Sequence, residues 1–600
     1  MTEPKRLFDC IQYHLQSEPL DVMLAGKETG KWRTYSTQEV KNIVDKLSSG
    51  LMNMGISCGD MSPEGRDKVA ILCKSRPEWI MLDFAVQQIG AVLTPIYPTI
   101  NVNELEFVLN DAQVKMVFVN DEDLFLKVVS IKERVPSLKE IFTFEYVPNA
   151  RHWKEVLAAS SEEPVQQIKP VSEKIQNGDL ATIIYTSGTT GKPKGVMLSH
   201  NNIVSNIMAG IPCFPPGKGQ KALSFLPLNH IFERMVSNLY MFQGTSVYFA
   251  ESFDTIGDNL REIKPDIFTT VPRVLEKVYE KIMKAGSELT GIKKGLFNWA
   301  HRLAEKYEIN KDPGISDNLQ LALANKLIFN KWREAVGGNI RCILSGGAAC
   351  QVRLIRIFTA AGIPIMEGYG LTETSPVISV NRYEVSGRMF GTVGPVMDNI
   401  QVKIAEDGEI LCKGPNIMMG YYKQPALTAE VIIDGWFYTG DIGMLVEKNN
   451  GPYKQFLKIT DRKKELFKTS GGKYVAPLPI ENKLQESMYI EQVMVVGAEK
   501  KFAGALIVPS FPYLKDWVRK NGITDMENEQ LIRNEKVIDF YKDLVESFNK
   551  YFNHVEQIKK FELLPQEWKV ETGELSPKLN LKRKVIMEKF KDAVERIYAE

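Results

Sequence analysis

The chain is organised around the stretch Tyr185-Thr186-Ser187-Gly188-Thr189-Thr190-Gly191-Lys192-Pro193-Lys194-Gly195. An apolar and largely β-branched run, Leu180 to Ile184, precedes it and predicts a buried strand. The loop that follows supplies hydroxyl, ammonium and backbone N–H donors, and its glycines let the backbone approach an anion closely. The sequence therefore predicts a phosphate-binding loop at the end of a strand.

Two alternatives to this interpretation have to be weighed. A Walker-type P-loop needs four residues between its glycines and a hydroxyl residue after its lysine, whereas Gly188 and Gly191 are too close and Pro193 follows Lys192. A flexible polar turn is the second alternative. The preceding strand and the composition of the loop favour phosphate binding, by a loop that is not of the Walker type.

Bulk composition restricts the class of protein. Six hundred residues are too many for one core, so two or more domains are expected. The net charge of +1 argues against nucleic acid as the main partner. Seven scattered cysteines without a CxxC pair indicate a reducing compartment and no structural zinc. With no secretory signal and no apolar run of the roughly 18 residues that a membrane span needs, we expect a cytoplasmic or at most peripheral protein.

Strands and helices alternate in the first 180 residues. Lys68–Leu72 and Val114–Val119 are predicted strands, and Trp79 to Val92 is a predicted helix. Alternation of this kind predicts an α/β fold, with parallel strands joined by crossover helices.

Two later segments carry candidate functional residues. His230 follows the strand-like Ser224-Phe225-Leu226 and a proline, at a strand exit where open α/β sheets bind ligands, although a structural role is the alternative. A helix-rich stretch from Val271 to about Glu334 is dense in Lys and Leu. Its basic residues could touch an anionic membrane surface, but a solvated helical face is the more ordinary interpretation.

Three further motifs, together with the loop at Tyr185–Gly195, reveal a resemblance. They are Gly368-Tyr369-Gly370-Leu371-Thr372-Glu373-Thr374, Trp436-Phe437-Tyr438-Thr439-Gly440-Asp441 and Asp461-Arg462-Lys463-Lys464-Glu465. In this order they resemble the adenylate-forming (acyl-activating) enzyme superfamily, and matches extend from about Tyr35 to Tyr598. The most similar subgroup is the long-chain fatty acyl-CoA synthetases. The segment His230-Ile231-Phe232-Glu233-Arg234 resembles a pattern found in that subgroup.

The resemblance implies a two-domain architecture. A large N-terminal domain, residues 1–460, would contain stacked mixed and parallel sheets with helices, and a β-rich subdomain at about 391–455. A small, mobile α+β C-terminal domain, residues 461–600, would move about a hinge near Lys464. The turn at Asp407-Gly408 and the alternating Glu409–Lys413 agree with the β-rich subdomain.

The resemblance also implies roles for individual residues. Thr186, Ser187, Gly188, Thr189, Thr190, Gly191, Lys192 and Lys194 would hold phosphates, and the backbone of Gly346, Gly347 and Ala348 would lie along the adenine. Gly368 and Gly370 would permit close approach, Tyr369 would stack on the base, and Thr372 would bind the α-phosphate. Glu373, with Thr186, would hold Mg²⁺. Asp441 and Arg462 would bind the ribose, and His230 would line the carboxylate and acyl pocket.

The C-terminal region adds the second half of the implied site. Gly471 and Gly472, within Ser470-Gly471-Gly472-Lys473, would meet the pantetheine channel of coenzyme A after the domain swing, although SGGK is also an ordinary hairpin turn. Relatives place an active-site lysine where this chain has Asn580, in Ser576-Pro577-Lys578-Leu579-Asn580-Leu581-Lys582-Arg583-Lys584. An amide cannot neutralise two anions, so we expect Lys578 to take this role. Slow adenylation without such a lysine is the alternative.

The implied reaction joins a fatty acid to ATP, giving an acyl-adenylate and pyrophosphate, and then transfers the acyl group to coenzyme A. The length of the helix-rich stretch favours a long acyl chain. Two other functions stay open: an acyl-AMP ligase that passes its acyl group to a carrier protein, and a binding protein that has lost turnover. The sequence fixes neither the chain length nor the oligomeric state, so a homodimer and a peripheral membrane contact also stay open.

Overall fold

The computed structural model describes residues 3–186, 192–252, 254–311, 314–449, 451–524, 526–576 and 581–599. The N-terminal third, to residue 199, contains helices α1 (Asp9–Ser17), α2 (Thr37–Asn53), α3 (Pro77–Gln88), α4 (Val102–Asp111), α5 (Glu122–Val129), α6 (Lys154–Ala158) and α7 (Pro164–Ser172). Its strands are β1 (Leu24–Glu28), β2 (Lys31–Tyr35), β3 (Lys68–Leu72), β4 (Val92–Pro95), β5 (Val114–Val119), β6 (Glu140–Thr143), β7 (Arg151–His152), β8 (Leu180–Thr186) and β9 (Lys194–Ser199).

The middle of the chain is richer in helix. Its helices are α8 (His200–Gly210), α9 (Ile231–Phe242), α10 (Ile256–Ile263), α11 (Pro272–Ser287), α12 (Gly291–Glu305), α13 (Ile315–Ala324), α14 (Asn330–Ala335) and α15 (Val352–Ala360), with a π-helical turn at Asn325–Phe329. Its strands are β10 (Lys221–Ser224), β11 (Ser246–Phe249), β12 (Ile267–Thr270), β13 (Cys342–Ser345), β14 (Ile365–Gly370) and β15 (Val377–Val380).

The last third alternates short strands with helices. Its strands are β16 (Gln401–Ile404), β17 (Glu409–Lys413), β18 (Gly420–Tyr421), β19 (Ile432–Ile433), β20 (Trp436–Glu447), β21 (Gln455–Arg462), β22 (Phe467–Lys468), β23 (Tyr474–Val475), β24 (Ile490–Val496), β25 (Gly504–Pro509) and β26 (Lys560–Leu563). Its helices are α16 (Pro425–Val431), α17 (Pro477–Leu484), α18 (Phe511–Lys520), α19 (Asn528–Leu531), α20 (Glu535–Asn549), α21 (Arg583–Lys589) and α22 (Lys591–Tyr598).

Two large mixed sheets, each of eight strands within the described residues, form the body of the fold. The first has the order β15-β14-β13-β12-β10-β11-β1-β2, with parallel inner strands and antiparallel edges. The second has the order β18-β9-β8-β4-β3-β5-β6-β7 and is parallel from β8 to β7. The predicted α/β class is confirmed, and Lys68–Leu72 and Val114–Val119 are strands as expected.

An antiparallel sheet and a separate apolar core complete the architecture. The order β16-β17-β20-β19, with β21 on β20, gives the β-rich region that the sequence predicted. One apolar core joins both large sheets, and a second core lies between Val475 and Ile597 around β24-β25-β26. Among the described helices, none is both long and apolar enough to cross a bilayer.

Two predicted helix boundaries are wrong. The helix expected at Trp79 to Val92 is α3, which ends at Gln88, because Gly90 has a φ of +73° and Val92 already belongs to β4. After Leu581 the apolar residues recur at helical spacing, which predicts one amphipathic helix, but the structure breaks it into α21 and α22 at Phe590. The Phe590 ring packs 6.4 Å from the Trp568 ring, a tertiary contact that local periodicity does not contain.

Helices α3 and α9 are buried along their whole length and meet through one ion pair. The Arg234 Nη2–Asp83 Oδ1 and Nε–Oδ2 distances are 2.6 and 2.8 Å, and neither side chain is exposed. Arg234 Nη1 also donates to Thr182 Oγ1 at 2.9 Å, and Thr182 Oγ1 donates to the Leu93 carbonyl oxygen at 2.7 Å. Burial raises the pKa of Asp83 against the opposing effect of Arg234. The pair therefore ties α9 of the first sheet to α3 and β8 of the second.

We expect Arg234→Met to destabilise the protein by about 3–5 kcal/mol, because it leaves the Asp83 charge buried without a partner. The double variant Arg234→Met/Asp83→Leu should recover most of that loss, since both charges are then gone. Chemical unfolding followed by fluorescence measures the free energies. Arg519→Met, which breaks an exposed ion pair with Asp516, is the control and should change stability by only about 0.5 kcal/mol. A double variant as unstable as Arg234→Met would contradict this account.

Candidate active site

The predicted phosphate loop connects β8 to β9 along the chain. Thr186 and Lys194 face each other at its neck in the antiparallel register of the two strands. Ser187, Gly188, Thr189, Thr190 and Gly191 lie outside the described residues. The Lys194 ammonium lies 5.4 Å from the centroid of the Tyr421 ring, and that of Lys192 lies 5.9 Å from the Phe107 ring.

Tyr421 connects the neck of this loop with Glu373. Strand β18 pairs with β9, with Tyr421 opposite Val196, and the Tyr421 hydroxyl donates to Glu373 Oε1 at 3.0 Å. The Met418 N–H donates to the Glu373 backbone oxygen at 2.9 Å. Burial and the Glu373 carboxylate raise the pKa of Tyr421 well above its usual range, so the hydroxyl stays a hydrogen-bond donor. Lys194, Tyr421 and Glu373 thus form one polar cluster.

Glu373 in this cluster and Thr186 at the neck of the loop carry oxygen donors that fit a magnesium ion. A carboxylate at Glu373 and a hydroxyl at Thr186 are hard oxygen ligands, the type that Mg²⁺ prefers. Among the described residues there is no group of three or more acidic, His or Cys side chains that could hold a metal. This is compatible with Mg²⁺, which is commonly held by one or two protein oxygens together with substrate phosphates and water.

A second cluster forms around Asp441 on β20. The Tyr369 hydroxyl donates to Asp441 Oδ2 at 2.7 Å, and Arg462 Nε lies 3.5 Å from Asp441 Oδ1. The Asp441 N–H donates to Thr439 Oγ1 at 3.1 Å, a hydrogen bond that restrains the backbone of β20 just before Asp441. Burial raises the pKa of Asp441, and the Arg462 charge opposes that shift. Tyr369, predicted from its ring alone, therefore also orients the Asp441 carboxylate through its hydroxyl.

Glycine is required sterically at two of the predicted positions. A Cβ on Gly370 would lie 1.7 Å from the Pro376 carbonyl oxygen. A Cβ on Gly346 would lie 2.8 Å from the Phe232 ring. Neighbouring Gly347 has a φ of +80°, in the left-handed region that favours glycine. Gly346, Gly347 and Ala348 follow β13 as expected, and Gly368 and Gly370 form the end of β14, with Thr372 buried just beyond.

His230 stands at the N-terminus of α9, held by contacts from the second sheet. The Asn229 amide donates to the carbonyl oxygens of Ile96 at 2.6 Å and Ile71 at 3.3 Å. Ser75 Oγ donates to the Leu226 carbonyl oxygen at 2.7 Å. The Phe232 N–H donates to His230 Nδ1 at 3.1 Å, so in the neutral ring Nε2 carries the proton.

A small apolar pocket of about 20 Å³ lies beside these loops. Gly368 and Ser345 line it at the end next to the nucleotide motifs, and Phe232 and Val236 line it from α9. Its other walls are Gly210, Phe214, Met235, Leu344, Met366, Val377, Val380 and Met397. The pocket is therefore a narrow, nearly hydrocarbon-lined space that starts at Gly368 and Ser345.

Two residues of this region were missed by sequence analysis. Tyr421 belongs to a two-residue strand without any motif of its own. Glu367 is buried behind Gly368, where its Oε1 accepts the Cys350 N–H at 2.8 Å, and burial raises its pKa to about 7. The sequence signal that could have identified Glu367 is its position directly before Gly368-Tyr369-Gly370.

The predicted hinge lies between two anchored residues. The Lys463 ammonium is 2.7 Å from Glu409 Oε2 and 2.6 Å from Asp407 Oδ2, on the antiparallel sheet. Glu465 Oε2 accepts from Arg583 Nε at 3.0 Å, and Arg583 also pairs with Glu481 at 2.5 Å. Exposed Lys464 lies between these two anchors.

Two C-terminal predictions remain. Gly471 and Gly472 lie in the β22–β23 hairpin, where the Ser470 N–H donates to the Lys500 carbonyl oxygen at 2.9 Å. Lys578 and Asn580 lie outside the described residues. Lys582 is exposed.

Two large α/β sheets with glycine-rich loops and an adjoining small apolar pocket are typical of a nucleotide-using enzyme. The model of the AMP-binding enzyme family matches residues 12–422, and that of the AMP-binding enzyme C-terminal domain matches residues 465–600. The chain belongs to the AMP-binding enzyme family.

Individual relatives agree with this assignment. The chain is 34% identical to a Mycobacterium bovis protein named long-chain-fatty-acid–CoA ligase FadD15, over 98% of this chain and 96% of that one. It is 31% identical to long chain acyl-CoA synthetase 4 of Arabidopsis thaliana, over 98% and 91% of the two chains. The structure of a Mycobacterium tuberculosis fatty acyl CoA synthetase shares the fold, with a TM-score of 0.63 at 19% identity over 98% and 99%.

We expect Glu373→Gln to reduce acid-dependent pyrophosphate exchange by at least 100-fold, about 2.7 kcal/mol of barrier. The amide keeps the hydrogen bond from Tyr421 but loses the charge that a magnesium ion needs. Tyr421→Phe is the matched control: it removes the same hydrogen bond, keeps the carboxylate and should cost far less. Exchange near the wild-type rate in a folded Glu373→Gln variant would show that Glu373 holds no metal.

Proposed function

We propose that the protein is a long-chain fatty acid–CoA ligase that forms AMP. The carrying observation is the apolar pocket that begins at Gly368 and Ser345, beside the nucleotide motifs. The side chains that line this pocket would move apart to admit an acyl chain, and its carboxylate would then lie next to the loop at Thr186 and the cluster around Glu373. The names of the curated relatives support the same substrate class.

The chemistry requires two anions to meet, because a fatty acid carboxylate must attack the α-phosphate of ATP. In our proposal Lys192, Lys194 and the loop hydroxyls hold the phosphates, Thr372 contacts the α-phosphate, and Asp441 and Arg462 hold the ribose. Mg²⁺ bound by Glu373 and Thr186 would supply positive charge to the phosphates. Charge neutralisation and alignment of this kind each contribute several kcal/mol (about 3–10) to catalysis.

His230 would stand at the mouth of the acyl pocket. Because its Nδ1 accepts the Phe232 N–H, its Nε2 is a donor in the neutral ring and can bind an anionic oxygen of the acid. Phe232, two residues further along α9, forms the pocket wall next to Gly346. The N-terminus of α9 would therefore orient the carboxylate through His230 and the acyl chain through Phe232.

Transfer to coenzyme A would use the C-terminal domain, residues 461–600. Lys463 is anchored on the antiparallel sheet and Glu465 on Arg583, which supports a hinge at Lys464 between them. Rotation there would bring Gly471 and Gly472 of the β22–β23 hairpin to the pantetheine channel. We further propose that the enzyme works as a peripheral protein at a membrane surface, where long-chain acids partition.

The proposal is tested by assaying acids from two to twenty carbons for AMP release, with and without coenzyme A. A long-chain ligase gives stoichiometric AMP and acyl-CoA that depend on coenzyme A, with the highest kcat/KM for long chains. Pyrophosphate exchange without acyl-CoA formation would favour an acyl-AMP ligase that serves a carrier protein. No exchange with any acid would leave a binding protein.

Narrowing the pocket should shorten the preferred acyl chain. We expect Val236→Phe to lower kcat/KM for an eighteen-carbon acid by about 10-fold or more, because the ring occupies the space of several methylene groups. Activity on a six-carbon acid should persist and serves as the folding control. Val236→Ala is the matched variant that widens the same wall, and it should not penalise long acids. An unchanged chain-length profile in Val236→Phe would place the acyl chain elsewhere.

The departure at Asn580 gives a further prediction, based on the sequence. In relatives a lysine at the position of Asn580 supplies the positive charge. If Lys578 supplies it in this chain, Lys578→Ala should lower adenylation more than thioester formation, each assayed separately. Lys582→Ala is the matched control and should change neither. Unchanged adenylation in Lys578→Ala, together with a 10-fold or larger gain in Asn580→Lys (about 1.4 kcal/mol), would overturn the assignment.

A further inference from the structure

Helix α13 and the π-helical turn after it carry an apolar face that points into solvent. Ile315, Leu319, Leu323 and Leu327 follow one another at intervals of four residues, and their exposed fractions are 84, 68, 49 and 40%. Residues four apart in a helix lie on the same side. These four side chains, hereafter the apolar face, thus form one continuous stripe.

The opposite side of the same segment is packed against the protein. Ala324, Phe329 and Trp332 are buried, and the Phe329 and Trp332 ring centroids are 5.0 Å apart. Trp332 also packs 5.9 Å from Phe297 of α12. One side of the segment therefore packs against the rest of the protein, and the apolar face lies on the solvent-exposed side. A solvated helical face, the ordinary interpretation of this stretch, would be polar here.

Positive charge accompanies the apolar face. Lys326 and Lys331 are exposed at its C-terminal end, and neither forms an ion pair within the part of the chain that the structure describes. The whole helix-rich stretch 272–334 contains twelve Lys and Arg residues against eight Asp and Glu residues. A helix with leucines on one side and lysines at its border is typical of segments that lie in the interface of an anionic bilayer.

We infer that the apolar face docks on an anionic phospholipid surface. Leucine and isoleucine side chains would enter the boundary between headgroups and acyl chains, and Lys326 and Lys331 would contact lipid phosphates. A second copy of the chain is the alternative occupant of this face, and it is distinguished by the oligomeric state of the leucine variants. This inference rests on the proposed function, because it names the surface through which the enzyme would contact the membrane. Binding of lipid by this surface requires neither ATP nor fatty acid.

Co-sedimentation with lipid vesicles tests the inference, using the full-length protein without substrates. We expect the protein to bind vesicles of mixed phosphatidylcholine and phosphatidylglycerol and to stay in solution with phosphatidylcholine alone. Binding should weaken as NaCl rises from about 0.05 to about 0.5 M, because salt screens the lysines.

Variants separate the apolar face from the rest of the surface. Leu319→Asp/Leu323→Asp should lower the partition coefficient by about 10-fold or more, since two charges replace buried methyl groups. Leu319→Ser/Leu323→Ser is a milder version if the first variant folds poorly. Lys326→Ala/Lys331→Ala should cost about 5-fold per lysine on anionic vesicles. Leu126→Asp on α5, a leucine that is 56% exposed, and Lys520→Ala on α18 are the matched controls and should bind like the wild type.

Three results would overturn the inference. They are no binding of the wild type to anionic vesicles, wild-type binding by both leucine variants, and a wild-type dimer that the leucine variants convert to a monomer. The last result would make the face an interface between copies. Ligase activity on acids dispersed without vesicles is measured in parallel, so that failure of the proposed function and failure of docking are distinguished.

Discussion

The ion pair between Arg234 and Asp83 is the interaction on which the geometry of the site depends. It lies without solvent contact between two helices that are themselves buried, and its third partner, Thr182, belongs to β8. His230 begins the helix that carries Arg234, and the phosphate loop follows the strand that carries Thr182. One buried contact therefore ties the helix that begins at His230 to the strand that leads into the predicted phosphate loop. Buried pairs are poor sources of net stability, so positional specificity explains it better.

The two reacting groups would approach from different sheets. The pocket walls Phe232 and Val236 come from α9 on the first sheet, whereas Thr186 and Lys194 come from the second. Tyr421, on an edge strand of the second sheet, reaches Glu373 beyond β14 of the first. The site thus lies between the two sheets. The N-cap residue His230 and the turn at Glu373 would both face a substrate bound there.

Local sequence was enough to predict the parts of the site that depend on local structure. The run Leu180–Ile184 is a strand, and the resemblance carried by four motifs led to the right family. Contacts between distant residues were invisible: the bond from Tyr369 to Asp441 spans 72 positions, and that from Tyr421 to Glu373 spans 48. The helix boundary at Val92 failed for a related reason. Apolar residues of a fully buried helix and of a fully buried strand have no periodicity that separates them.

In the proposed complex an acyl chain would lie between the two sheets, with its carboxyl carbon beside Gly368 and its tail against α9. The most direct measurement is a crystal structure with a long-chain acyl sulfamate that mimics the acyl-adenylate. The account predicts density for the chain between Phe232, Val236 and Met397, with the adenosine ribose on Asp441. Density for the acyl chain in any other cavity, with the pocket at Gly368 empty, would contradict it.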